Sequence, residues 1–293
     1  MTAPSTGSGA TGPTALRMLL GGHLRRLREA EGISRADAGW EIRSSESKIS
    51  RLELGRVSFK ERDVDDLLSL YGVDDPEERA RLLSLAREAN APGWWHRFGD
   101  VLPSWFQSYM GLEATASLIR TYEVQFVPGL LQTRAYAEAV VMLGHDLAGR
   151  RDVERRVDLR MDRQNILHQP NAPRLWTVLD ESALRRPIGG KDVMRGQLEQ
   201  LIKFSQYPNV VLQIIPFKAG GHAAAGGAFT MLRFADPELP DVIYLEQLTS
   251  ALYLDKRDDV DQYIAAMERL SVQADVPAKT VKTIDGIIDE LYS

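Results

Sequence analysis

The stretch from Ser34 to Arg56, SRADAGWEIRSSESKISRLELGR, decides how the first third of this chain folds. Its second half has a helical period: counted from Ser45, Ile49 and Leu52 fall on one side, and Glu46, Ser47, Ser50 and Arg51 on the other. One side can pack while the other stays free. Ser45 is suited to accept a hydrogen bond from the first-turn amides, and Gly55 supplies the left-handed residue that commonly ends a helix. The resulting helix is about ten residues long, a size that enters a DNA major groove. On its free side Arg51 can donate a bidentate pair to guanine and Glu46 can accept from the cytosine amino group. The serines Ser45, Ser47 and Ser50 can serve either role. Lys48, Arg56 and Lys60 lie at the flanks, where they suit phosphates, which position a protein without specifying sequence.

Working outward, residues 35–42 predict a short helix after Ser34, another good cap. Ala36, Ala38, Gly39 and Trp40 there are small or apolar, and small residues permit a close helix crossing. Upstream, Leu20, Leu24 and Leu27 predict a helix over 16–31, stopped by Gly32. Downstream, Val64, Leu67, Leu68 and Tyr71 share one face of a fourth helix, and Asp75-Pro76-Glu77-Glu78 caps a fifth. Five helices are expected to close one small core.

On these residues the segment resembles a helix-turn-helix domain of the XRE type, the lambda-repressor-like family. ISRLELG at 49–55 is similar to that family's recognition-helix pattern. The resemblance implies that Arg28 and Glu53 form a buried ion pair tying the first helix to the end of the third, and that Arg35 anchors the DNA backbone. It also implies a homodimer on a palindromic double-stranded operator. The chain departs from the family by having Arg35 where Gln or Thr is common and Arg43 where the turn often has Gly. A charged helix face can also be no more than a solvated face, but local charge favours nucleic acid. Residues 16–60 carry ten Lys/Arg against six Asp/Glu, a balance of +4, while the whole chain is −5, leaving −9 on the remainder.

The chain has 293 residues, room for two domains, and its 44% hydrophobic and 26% charged content is ordinary for a globular protein. It has no cysteine, which excludes disulfides and thiolate metal sites. No cofactor or metal is expected. No apolar run reaches the length of a membrane span. Residues 1–13, MTAPSTGSGATGP, have neither a basic start nor an apolar stretch, so a mobile tail is expected rather than a signal peptide, and a cytoplasmic location follows. The domains read as 14–90 for the helix-turn-helix, 91–110 for an aromatic-dense connector with Trp94, Trp95, Phe98, Trp105, Phe106 and Tyr109, and 111–293 for an effector or partner-binding domain. The connector's rings read as packing for the domains, or else as a ligand-stacking cage.

In the body, 113–123 reads as a helix, 130–143 as another, and 152–168 as a long charged helix whose arginines pair with Asp152, Glu154, Asp158 and Asp162 inside the helix. The period then changes: RLWTVL (174–179), VVLQII (210–215), FTMLRF (229–234) and VIYL (242–245) read as strands, with 251–254 a further one. Helices are expected near 191–205, 258–271 and 278–291. The predicted class is mainly α, with an α+β body built on a small antiparallel sheet and helices on one side. VPGLLQTRAYAEAV (127–140), RMDRQNIL (160–167), Gln197-Leu198 before VVLQIIPF (210–217) and VIYLEQLTSALYL (242–254) resemble the domain of unknown function that follows an XRE-type headpiece in actinobacterial WhiJ-like regulators. That likeness implies transcriptional control in developmental settings, often with a small companion protein.

Asp180 and Glu181 after one strand, Glu246 after another and His222 in a glycine-rich loop are parts from which a hydrolase could be built. Adjacent acids after a strand are more often caps, however, and a lone His in a loop is more often solvated. No GxSxG, HExxH or phosphate-loop pattern is present, so no enzyme is expected. Two effector readings stay open: the body docks a small partner protein, or it is a small-molecule receptor lined by the aromatic connector and the Gly220–Gly227 loop.

Overall fold

The computed structural model describes residues 13–144, 149–224, 226–237 and 239–292. The tail expected at 1–13 lies outside them but for its last residue, Pro13, which starts a helix. The described residues form two compact units: one falls within 13–96, 107–115 and 236–239, the other within 97–106, 116–235 and 240–292.

The first unit contains α1 (Pro13–Ala30), α2 (Arg35–Glu41), α3 (Glu46–Glu53), α4 (Glu61–Leu70) and α5 (Pro76–Ala89). Local chemistry sets their ends. Ser34 Oγ accepts from Asp37 N at 3.1 Å, Ser45 Oγ from Lys48 N at 3.2 Å, and Asp75 caps α5 with Pro76 at the first helical position. Leu20, Leu24, Ile49, Leu52, Val64, Leu67 and Leu68 form the core of this unit. Two glycines let α1 and the end of α3 meet. A Cβ on Gly21 would lie 2.4 Å from Leu52 O, and one on Gly55 (φ +64°) 2.6 Å from Met18 N.

After a 3-10 turn at Trp94–Phe98, α6 (Ser104–Thr115) occupies part of the stretch read as a connector and leads directly into β1 (Ala116–Glu123). Residues 116–123 were expected to be helical. ASLIRTYE suits either period, but Ile119 and Tyr122, of opposite parity, are both buried, as in a strand covered on both faces. The other strands are β2 (Arg174–Asp180), β3 (Val210–Ile215), β4 (Phe229–Phe234), β5 (Val242–Glu246) and β6 (Ala251–Leu254).

The expected small antiparallel sheet is instead a six-stranded mixed sheet among the described residues, in the order β3-β2-β1-β4-β5-β6. β1–β2 and β2–β3 are parallel, with Ile119 opposite Leu175 and Leu175 opposite Val210; the remaining pairs are antiparallel. The reason lies in the connections. α7 (Arg134–Gly144) and α8 (Arg150–Gln164) separate β1 from β2, and α9 (Glu181–Arg185) and α10 (Lys191–Phe204) separate β2 from β3, so each return runs through helices and the next strand starts from the same end. The one-sided helix layer is also corrected. Tyr122, Val178, Ile215, Phe229 and Ile243 pack with Val260, Met267 and Leu270 of α11 (Arg257–Gln273), while Leu175, Leu179, Leu212 and Leu232, on the opposite parity, are equally buried. α12 (Thr280–Leu291) ties to the sheet through Thr280 Oγ1, which donates to Leu212 O at 2.6 Å.

α8 corrects the expected ladder of intrahelical pairs. Arg150–Glu154 is one such pair, but Arg155 holds Asp100 through two hydrogen bonds of 2.6 and 2.7 Å, Arg97 pairs with Asp162, and Arg134 with Asp158. The helix's charges bind it to other elements of its unit.

Candidate DNA interface

α2 and α3 meet at a tight turn. Ser44 N donates to Gly39 O at 2.7 Å, and a Cβ on Gly39 would sit 2.9 Å from Ser44 O, so this glycine is needed for the turn itself. Arg43, where the resemblance led one to look for glycine, adopts φ +52°, a left-handed conformation that costs an L-residue roughly 1 kcal/mol. The turn keeps its shape and bears the strain.

α3 has two faces. Ile49 and Leu52 are buried, whereas Ser45, Glu46, Ser47 and Arg51 are exposed and Ser50 half-buried. Arg51 Nε rests on Ser47 O at 3.3 Å, one turn back on the same exposed face. Lys60 is exposed at the start of α4 and Arg56 is half-buried after Gly55. Two flanking cations are engaged within the unit: Lys48 Nζ meets Asp63 at 2.7 Å, and Arg35 Nε donates to Glu53 at 3.0 Å. Arg28 Nε donates to Glu53 Oε1 at 2.5 Å and its Nη1 to Ile33 O at 2.8 Å, with the Arg28 and Glu53 side chains only 8% and 3% exposed. The Glu53 hydrogen bond holds the Arg28 guanidinium above its ordinary pKa despite burial. Sequence reasoning placed Trp40 among the residues that permit helix crossing, but its ring is 85% exposed on α2. Ala36 is exposed as well, and Ala38 and Gly39 alone of that group are buried.

The parts set aside as raw material for a hydrolase are distributed otherwise. Asp180 caps α9 by accepting from Ser182 N at 2.9 Å, and Glu181 accepts from Phe217 N at 2.8 Å and pairs with Arg185. His222 is not the solvated loop residue expected. Its Nε2 lies 3.1 Å from the Tyr122 hydroxyl and 3.7 Å from Asp180 Oδ2, at the carboxyl ends of β1 and β2, while Ala224 N donates to its Nδ1 at 3.3 Å. Ser182 Oγ donates to Asp180 rather than to His222, so the serine is not activated by the imidazole. No group of three or more His, Asp or Glu side chains is placed to hold a metal among the described residues. No helix there is long and apolar enough to cross a membrane.

The family profile described as "Domain of unknown function (DUF5753)" matches residues 106–286, more than half of the chain. The chain belongs to the DUF5753 family. A second profile, described as "Helix-turn-helix domain", matches residues 19–82, which span most of α1 and all of α2, α3 and α4. This DUF5753 protein therefore carries a helix-turn-helix domain ahead of an α+β domain. No curated protein and no solved structure matches it.

Proposed function

We propose that this DUF5753 protein is a sequence-specific DNA-binding transcriptional regulator of the lambda-repressor-like type. The observation that carries the reading is the two-faced α3, anchored by Ile49 and Leu52 and offering Glu46, Ser47, Ser50 and Arg51 outward beside a tight turn. Those side chains are donors and acceptors of the kind that read base edges. The protein acts in the cytoplasm, as a homodimer on a palindromic operator, and has no catalytic role. A small partner protein docks on the α+β domain and alters DNA affinity by preferring one form of the regulator.

Arg51→Ala is expected to cost about 1 to 3 kcal/mol at the preferred site and to relax base preference there. Lys48→Ala is expected to weaken all sequences alike and to reduce the salt slope by about one contact. Selection of bound sequences from a random duplex pool reads the first effect, and affinities measured across a salt series read the second. An unchanged selected motif for Arg51→Ala would overturn the assignment of the reading face.

A second reading, in which the α+β domain responds to a small molecule, is favoured by the environment of Arg160 described next. A thermal-shift screen against size-exclusion co-elution separates the two: a stable one-to-one complex with a small protein in the absence of any metabolite supports docking and disfavours the receptor.

A further inference from the structure

We propose that the α+β domain binds a small organic anion, a carboxylate or a phosphate monoester with an apolar or aromatic body, through the Arg160 guanidinium. This rests on the receptor reading and deepens it, but it does not depend on DNA binding. α8 carries Arg156, Arg160 and Arg163 at helical spacings that place them on one stripe. Arg160 Nη1 donates to the neutral Gln132 Oε1 at 2.8 Å, and no carboxylate forms an ion pair with it among the described residues. Arg155, in the same helix, shows the usual alternative by chelating Asp100 through Nε and Nη2, one edge of its guanidinium.

A charge drawn out of water without a counter-charge is costly. Burial first, with Arg163 adding to it, lowers the Arg160 pKa to about 10. Glu246 opposes this through space, but no ion pair joins it to Arg160 among the described residues. The Glu246 carboxylate is engaged by the Tyr244 hydroxyl, which donates to it at 3.0 Å. One turn before Arg160, the Arg156 Nε is buried without a hydrogen-bond partner. The group that would satisfy Arg156 and Arg160 carries negative charge and at least two acceptor oxygens, which a planar guanidinium engages as a fork.

The remainder of the site sets the body of the ligand. Arg163 lies over the Phe106 ring at 5.2 Å, Phe106 meets Tyr244 edge-on at 6.5 Å, and Tyr244 adjoins Tyr253 at 5.2 Å. These rings form an aromatic wall beside the arginine stripe, suited to an apolar or aromatic body. The wall takes Phe106 from the aromatic connector, but it is built with β5 and β6 and not with the Gly220–Gly227 loop.

The test is isothermal titration and thermal unfolding of the full chain with benzoate, phenyl phosphate, inorganic phosphate and, as a neutral control, benzyl alcohol. Saturable binding of benzoate or phenyl phosphate with a raised melting temperature is expected, and the tighter of the two identifies the head group. Benzyl alcohol should not bind. Arg160→Gln should weaken the anion by at least about tenfold, and Arg160→Lys should weaken it less because the charge is kept and the fork lost. Unliganded Arg160→Gln should melt at the same temperature or higher, since a desolvated charge is removed. If that variant does not fold, Arg156→Gln serves in its place with the same expected direction. Equal binding of the neutral control, unchanged affinity in the variants, or no saturable binding of any anion up to about 10 mM would overturn the proposal. A variant that melts lower while keeping its anion affinity would show Arg160 to be structural and would overturn it as well. Failure of operator binding in the α3 variants would leave these readouts untouched.

Discussion

Glu53→Ala is expected to lower the unfolding free energy of the helix-turn-helix unit by about 3 to 5 kcal/mol, the range for breaking a buried ion pair from one side. The variant strips both acceptor oxygens from Arg28, which donates to them at 2.5 and 3.2 Å, and the acceptor from Arg35 at 3.0 Å. Arg28 keeps Ile33 O as a partner, and Arg35, about one-third exposed, can turn to water, so the cost falls mainly on the buried Arg28 charge. Replacing both partners with apolar residues, Arg28→Met with Glu53→Leu, should cost much less, because no orphaned charge remains. Urea unfolding followed by circular dichroism measures both. A Glu53→Ala cost below about 1 kcal/mol would show that the pair is screened like a surface bridge. Because Glu53 ends α3, the destabilised variant should also lose DNA affinity for every sequence together, unlike Arg51→Ala.

Glu123→Gln is expected to make the protein more stable at pH 8 and to leave it nearly unchanged at pH 5. Burial and the Glu246 carboxylate push the Glu123 pKa from 4.5 up to about 8. Between those values the folded chain holds a proton that the unfolded chain has released. The stability contributed by that proton is complete below about pH 4.5 and is lost as pH rises towards 8. Glutamine has no proton to lose, so the variant should gain about 2 to 4 kcal/mol over wild type at pH 8. Urea midpoints across this window read the effect, and parallel pH profiles for the two proteins would contradict it.

Features governed by short spacings were legible in the sequence. Ser34 and Ser45 cap helices because each side chain needs only an amide three residues ahead. The outward side of α3 follows from the period of the helix once Ile49 and Leu52 are inside. The Arg28–Glu53 pair came from the resemblance alone, since nothing local connects two residues on different helices. Trp40 was misjudged because amino-acid type says little about exposure on a helix of seven residues, where one face serves the core and another does not. The Tyr122, Asp180 and His222 cluster was only half visible: the latter two were noted as chemistry-bearing, but their meeting depends on how β1 and β2 align. Acids at the right intervals in its helix make Arg160 read as one rung of an intrahelical ladder, but Asp158 and Asp162 are turned towards other elements instead.

The sequence by itself determined the helix-turn-helix segment, its caps, the solvent-facing side chains of α3 and the existence of five of the six strands. Tertiary structure alone decided that Ala116–Glu123 is a strand, that β1, β2 and β3 run parallel, and that Arg160 donates to the neutral Gln132. Hydrogen bonds within a turn and the 3.6-residue period act between near neighbours, so a linear reading captures them. Strand direction, burial of a charge and the company it keeps depend on residues brought together by long crossovers, and those energies are settled when the whole sheet forms.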